Sequence, residues 1–124
     1  MTIENLKLSV VICSYNRAKY IANAMESLYN QSIDKSLYEV FVVDNNSTDN
    51  TKEICQDYIA KNTDFNIRYI EEKRQGATYA RNTGAALANG KYLVFMDDDA
   101  EANVDFLERI LIFFKNNPNA DGVG

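Results

Sequence analysis

The sequence predicts an α/β protein with three α/β/α layers around a mostly parallel, Rossmann-like sheet. Three observations predict it. Short apolar runs alternate with segments of helical periodicity, four times over. The joints between them are short, as right-handed strand–helix–strand crossovers require. Each apolar run also ends in a polar cluster, and in open sheets of this kind ligands bind beyond the carboxyl ends of the strands.

Leu8-Ser9-Val10-Val11-Ile12-Cys13 is apolar and β-branched, the pattern of a strand buried on both faces. Ile21, Ala24, Met25 and Leu28 recur at helical spacing and place a helix over about Ala18 to Asn30. Tyr38-Glu39-Val40-Phe41-Val42-Val43 is the second strand, ending at Asp44, and Asn45-Asn46-Ser47-Thr48-Asp49 is a turn. Asn50, with Glu53 three residues on, predicts a capping-box helix start, and Ile54, Tyr58 and Ile59 supply that helix with an apolar face. Phe65 to Ile70 alternates, so the third strand is expected to be half exposed. After the polar loop Glu71 to Gln75 and Gly76, the segment Ala77 to Ala88 carries Ala77, Ala80, Gly84, Leu87 and Ala88 on one side, small enough for a helix to lie close against a sheet; Asn89-Gly90 stops it. Tyr92 to Met96 predicts a fourth, buried strand, and Leu107, Ile110, Leu111 and Phe114 a last helix ahead of Pro118. Ala120-Asp121-Gly122-Val123-Gly124 reads as the start of a fifth strand cut off at once, so a domain truncated after about four strands is expected over residues 1–124.

Composition narrows the function. A length of 124 residues suits one domain, and 46% hydrophobic with 25% charged residues is ordinary for a globular chain. Net charge is −5 and the basic residues are scattered, which argues against nucleic acid as a partner. No apolar stretch nears the ~20 residues that span a bilayer, and Met1 to Lys7 lacks a signal-peptide pattern. Cys13 and Cys55 read as reduced, buried thiols of a cytosolic protein. Histidine is absent, which removes imidazole-based zinc sites, Ser-His triads and imidazole acid–base catalysis. Any metal must then be held by oxygen ligands, which favours Mg²⁺, Mn²⁺ or Ca²⁺. No Gly-x-Gly-x-x-Gly follows the first strand, no Gly-Lys-Ser/Thr loop exists, and the first strand does not end in Asp-x-Asp. Dinucleotide, P-loop and aspartyl-phosphate folds therefore do not fit.

Asp97-Asp98-Asp99 stands at the mouth of the fourth strand. Three adjacent carboxylates repel one another unless a counter-charge is present, so a divalent cation and a phosphorylated ligand fit here; a solvated acidic turn capped by Asn103 fits as well. Asp44 can accept a hydrogen bond from a neutral donor such as a uracil N–H, or open an Asx-turn into Asn45 and Asn46. In Ser14-Tyr15-Asn16-Arg17, Tyr15 can stack on a planar base while backbone groups near Ser14 bond its edge; the same residues make a plain polar loop. Arg81 either offsets the acids and holds a phosphate or is merely solvated, and Gly76 allows a ligand to approach the backbone closely.

Four segments carry a resemblance: Ser9 to Arg17 (SVVICSYNR), Val42 to Asp49 (VVDNNSTD), Gly76 to Gly84 (GATYARNTG) and Asp97 to Asp99. In this order and spacing the chain resembles the family 2 glycosyltransferases of GT-A fold, over nearly its whole length. The resemblance implies the nucleotide-sugar-binding part of a metal-dependent, inverting glycosyltransferase that uses a nucleotide-diphosphate sugar, commonly a UDP-sugar, and acts on an acceptor such as a polysaccharide or glycolipid. It implies that Ser14, Tyr15, Arg17 and Asp44 hold the base, with Asn46 and Gly76 in the same nucleotide-binding set and Arg81 near the nucleotide. Asp97 or Asp98 would face the ribose, and Asp99 with Asp97 would bind Mn²⁺ or Mg²⁺ bridging the diphosphate. The catalytic base is expected beyond residue 124, since nothing supports Glu101 or Asp105 in that role, and this part alone is expected to bind without turnover. A cytoplasmic location follows, peripheral at the inner membrane face for a full-length protein. Self-association through an open sheet edge is a further expectation. The rival reading is a non-catalytic nucleotide-binding or interaction module of the same fold.

Overall fold

The computed structural model describes residues 6–122. Leu8–Ser14 forms β1, Tyr38–Asp44 β2, Ile67–Glu71 β3 and Tyr92–Asp97 β4; Ile21–Tyr29 forms α1, Thr51–Lys61 α2, Ala77–Leu87 α3 and Phe106–Asn116 α4. All strand pairings are parallel, in the order β3-β2-β1-β4. The three-layer α/β expectation is met.

The layers follow from the strand period of two. Val10, Ile12, Val40, Val42, Val94 and Met96 face one side and pack with Ile21, Met25 and Leu28 of α1, Cys55 of α2 and Leu107 of α4. Val11, Phe41 and Val43 face the other side, against Ala80 of α3. The chain steps outward from β1 to β2 to β3, then returns across β1 to β4. With right-handed crossovers, that reversal puts α3 on the opposite face from α1 and α2. It also creates a switch point beside β1, where such sheets open a crevice. The small residues of α3 allow the closeness the sequence implies: a Cβ on Gly84 would stand 2.4 Å from Val11 Cγ1.

Several local expectations need correction. β4 is not a buried strand: among the described residues it pairs only with β1, Val94 and Met96 face the core, and Leu93 and Phe95 are 42% and 47% exposed. Its far face has no covering helix there. α1 starts at Ile21, not Ala18, because the N–H groups of Tyr20 and Ile21 both close a turn on the Arg17 carbonyl. The capping box at Asn50 does not form. Asp49 takes its place, its carboxylate accepting from Thr51 N–H at 3.1 Å and Thr51 Oγ1 at 2.6 Å, since an ionised acceptor makes the stronger bond. At α4, Asn103 contributes only its backbone carbonyl to Phe106 N–H. The side-chain acceptor is Gln31 Oε1, which takes Leu107 N–H at 2.9 Å. Residues 120–122 form no strand, and Val123 and Gly124, the end of the expected fifth strand, lie outside the described residues.

Candidate functional site

Parallel pairing aligns the strand ends, so Ser14 lies beside Asp44, Cys13 beside Asp97, and Asp44 beside Glu71. The four loops that follow share one rim, and side-chain hydrogen bonds join each neighbouring pair. Asp98, after β4, accepts Tyr15 N–H at 3.2 Å and Arg17 Nε–H at 3.3 Å from the loop after β1. Asn16, in the left-handed region at φ 51°, accepts Thr48 N–H at 2.8 Å and Asp49 N–H at 3.3 Å from the loop after β2. Asn45 donates to the carbonyls of Glu72 and Arg74 at 3.1 and 2.7 Å and accepts Gly76 N–H at 2.9 Å from the loop after β3.

These joints frame a crevice of about 360 Å³ at the switch point, lined by residues 13–15, Arg17, Asn45, residues 75–77, Ala80 and Asp98. Of the residues singled out by sequence, Ser14, Tyr15, Arg17, Gly76 and Asp98 line it. Tyr15 offers an aromatic face, 47% exposed. Ser14 is 1% exposed, yet its Oγ has no hydrogen-bond partner among the described residues. Buried hydroxyls are almost always satisfied, so an unpaired one in a crevice wall suits a ligand with a polar edge.

Asp44, Asn46, Arg81, Asp97 and Asp99 do not line the crevice. Asp44 is 2% exposed; its Oδ1 accepts Ser47 N–H at 3.0 Å and Ser47 Oγ–H at 2.5 Å, and its Oδ2 accepts Tyr69 Oη–H at 2.6 Å. Burial first, then that bond to Asp44, raises the Tyr69 phenol far above its ordinary value. Asn46 is exposed, with φ 67°. Arg81 is exposed on α3 and makes no ion pair among the described residues. Its charge nonetheless reaches Cys13: burial raises the thiol pKa, Arg81 opposes that rise, and Asp98 adds to it. Arg81 and Asp98 thus both act on the mouth of β1.

The acidic trio divides by partner. Asp98 is committed to Tyr15 and Arg17, whereas the exposed Asp97 and Asp99 carboxylates accept nothing among the described residues. Nor does any group of three or more His, Cys, Asp or Glu side chains there stand ready to hold a metal. A hard cation can still use one or two carboxylates and complete its shell with phosphate and water oxygens. Two uncommitted carboxylates beside a crevice fit that donor set.

Sequence reasoning missed Cys13, Asn45, Gln75, Ala77 and Ala80 as lining residues, and Glu72 behind them; Cys13, expected to be buried, is half-buried here, since it lies near the end of β1, at the crevice. Glu72 is 8% exposed; its carboxylate takes Arg74 Nη2–H at 2.8 Å, Thr83 Oγ1–H at 2.6 Å and Arg74 N–H at 2.9 Å, and these bonds lower its pKa to about 2. Asn45 adjoins Asp44 in the sequence, but its three partners lie 27–31 residues away, so the only signal for it was adjacency.

The chain matches the family model described as "Glycosyl transferase family 2" over residues 9–124. It belongs to glycosyl transferase family 2. It is 40% identical over 102 residues to glycosyltransferase AglE of Haloferax volcanii, a match covering 82% of the chain and 33% of AglE. It is 33% identical over 115 residues to the minor teichoic acid biosynthesis protein GgaB of Bacillus subtilis, covering 93% of the chain and 13% of GgaB. Among solved structures it resembles S. aureus TarS 1–349 in complex with UDP-GlcNAc, at TM-score 0.82 and 30% identity over 96% of this chain and 37% of that one. It also resembles the mannosyltransferase PcManGT of Pyrobaculum calidifontis in complex with GDP-Man and Mn²⁺, at TM-score 0.85 and 28% identity over 95% of this chain and 34% of that one. The GT-A type fold is thereby established. The chain spans about a third or less of the length of AglE and GgaB. No helix among the described residues is long and apolar enough to cross a membrane.

Proposed function

We propose that this chain is the donor-binding part of a glycosyltransferase, taking a nucleotide-diphosphate sugar, with a UDP-sugar as the first candidate, in the crevice beside β1. The observation that carries the reading is the unpaired Ser14 Oγ, buried in a crevice wall next to the exposed ring of Tyr15. An orphan hydroxyl beside an aromatic face suits a planar base with a polar edge. TarS with UDP-GlcNAc and PcManGT with GDP-Man support the ligand class.

Tyr15 stacks on the base and Ser14 bonds its edge. Asp44 stands behind them with its carboxylate already fixed by Ser47 and Tyr69, so it meets a base N–H only through a remaining lone pair. Arg81, without an ion pair among the described residues, is the cation available to the diphosphate. Asp99 and Asp97 would hold Mn²⁺ or Mg²⁺, which as a Lewis acid would neutralise charge on the departing diphosphate. Transfer with inversion to a polysaccharide or glycolipid hydroxyl is the reaction proposed for the protein that carries this part. Nothing supports Asp105 as its base; the Asp105 carboxylate makes an exposed ion pair with Arg109 Nε–H at 2.9 Å.

Isothermal titration with UDP, with and without Mn²⁺, tests the reading. The wild-type chain is expected to bind UDP more tightly with Mn²⁺, and Asp99→Ala to lose the metal-dependent gain. A wild-type chain that binds neither UDP nor GDP, with or without Mn²⁺, overturns it. Binding without transfer in the complete protein would favour a non-catalytic module.

A further inference from the structure

We propose that Asn45 is the positioning residue for the α3 side of the crevice, and through it sets affinity for the nucleoside portion of the ligand. This rests on the nucleotide reading above and names a residue that acts within it. Asn45 is 5% exposed and closes β2 on the rim. Both of its amide N–H donors are engaged, by the Glu72 and Arg74 carbonyls, and its Oδ1 holds Gly76 N–H. Its backbone carbonyl also accepts Gln75 Nε2–H at 3.2 Å. Gly76 has φ +137°, a backbone state L side chains rarely adopt, and α3 starts at the next residue. The Asn45 amide group therefore ties three backbone positions of the loop leading to α3, the last of them Gly76, which lines the crevice with Ala77, Ser14 and Tyr15. With its polar atoms taken, Asn45 acts on a ligand through that loop.

An amide suits this task because it carries donors and an acceptor at once. Asn45→Asp keeps shape and acceptor but turns an oxygen toward the Glu72 and Arg74 carbonyl oxygens, so the loop from Glu72 to Gly76 must move away. Asn45→Ala removes all three side-chain bonds. The experiment uses both variants of the 124-residue chain, with amide hydrogen exchange and calorimetric titration against UDP and against inorganic pyrophosphate, each with Mn²⁺.

Exchange protection at Arg74 and Gly76 is expected to fall while that of β1 and β2 is kept. UDP affinity is expected to weaken about tenfold, and pyrophosphate affinity to stay unchanged. A purely structural role would weaken both ligands alike and expose the strands, and that result overturns the proposal. Unchanged protection at Gly76 in Asn45→Asp, or unchanged UDP affinity, overturns it too. A wild type that binds no nucleotide sinks the functional reading, and with it the claim about nucleoside affinity; the exchange result then decides separately whether Asn45 places α3.

Discussion

Asp98 accepts the backbone N–H of Tyr15 at 3.2 Å, so the turn after the last strand is fastened to the turn after the first. The second oxygen of the same carboxylate takes Arg17 Nε–H at 3.3 Å. The middle member of the acidic trio is thus a fastener of the rim, unlike its two neighbours.

This distinction predicts separable mutants. Asp98→Ala is expected to weaken UDP binding equally with and without Mn²⁺, because it frees the Tyr15 loop. Asp97→Ala and Asp99→Ala are expected to remove only the Mn²⁺-dependent part. Stability should change little on losing the Arg17–Asp98 pair, by about 0–1 kcal/mol, since Arg17 is half exposed. Calorimetric titration in the presence of Mn²⁺ or EDTA separates the cases; identical profiles for all three variants would contradict the division.

Gly84 makes a sharper prediction for stability. Alanine there places a methyl 2.4 Å from Val11 Cγ1 and 3.0 Å from Cγ2, on a strand with no room to retreat. Overpacking of this kind costs about 1–3 kcal/mol. Gly84→Ala should lower the urea midpoint accordingly, and adding Val11→Ala should recover part of the loss. A Gly84→Ala variant as stable as wild type would show that α3 can lift off the sheet without cost.

Acid should act through Glu72. Arg74 foremost, then Thr83, hold its carboxyl at about 2, against an ordinary 4.5. A carboxyl with a lowered folded-state pKa adds stability that is complete above the ordinary value and vanishes as pH falls through the folded value. The difference in thermal midpoint between wild type and Glu72→Gln should therefore be constant above about pH 5 and shrink toward pH 2. A difference that does not change over this window would contradict the assignment.

Thiol chemistry reports on the crevice directly. Cys13 lines it and is half-buried, whereas Cys55 is fully buried, with its pKa pushed up to about 12 chiefly by burial. Burial raises the Cys13 thiol as well. Alkylation by iodoacetamide should be slow at pH 7, faster at pH 9 and confined to Cys13 in the folded chain. Bound UDP with Mn²⁺ should slow it further. Modification of Cys55 ahead of Cys13 would refute this placement.

Much of the fold was readable because the inner strands are simple objects. Every residue of β2 is buried, so Val40 to Val43 shows as one unbroken apolar run. β4 carries an equally apolar run, Leu93 to Met96, yet lies at an edge. Apolar content alone does not say how many neighbours a strand has. The start of α1 was missed because Arg17 closes a turn first. The start of α2 at Asn50 was read correctly, but its capping acceptor was not, because Asp49 outcompetes Asn50. The strand-end loops were legible as a group, since parallel topology brings them to one rim whatever their contents. Which carboxylate stays uncommitted was not legible: Asp98 differs from Asp97 and Asp99 only through Arg17 and Tyr15, more than 80 residues away. Gln31 was invisible for the same reason, its acceptor serving Leu107 across 76 residues of chain.

The central place of β1 also governs when the crevice can come into being. β1 pairs on one side with β2 and on the other with β4, Leu8 opposite Tyr92. Contacts this distant along the chain are entropically late and slow folding. As the polypeptide leaves the ribosome, Tyr15 must wait for Asp98, so this side of the crevice is fastened only after β4 has emerged.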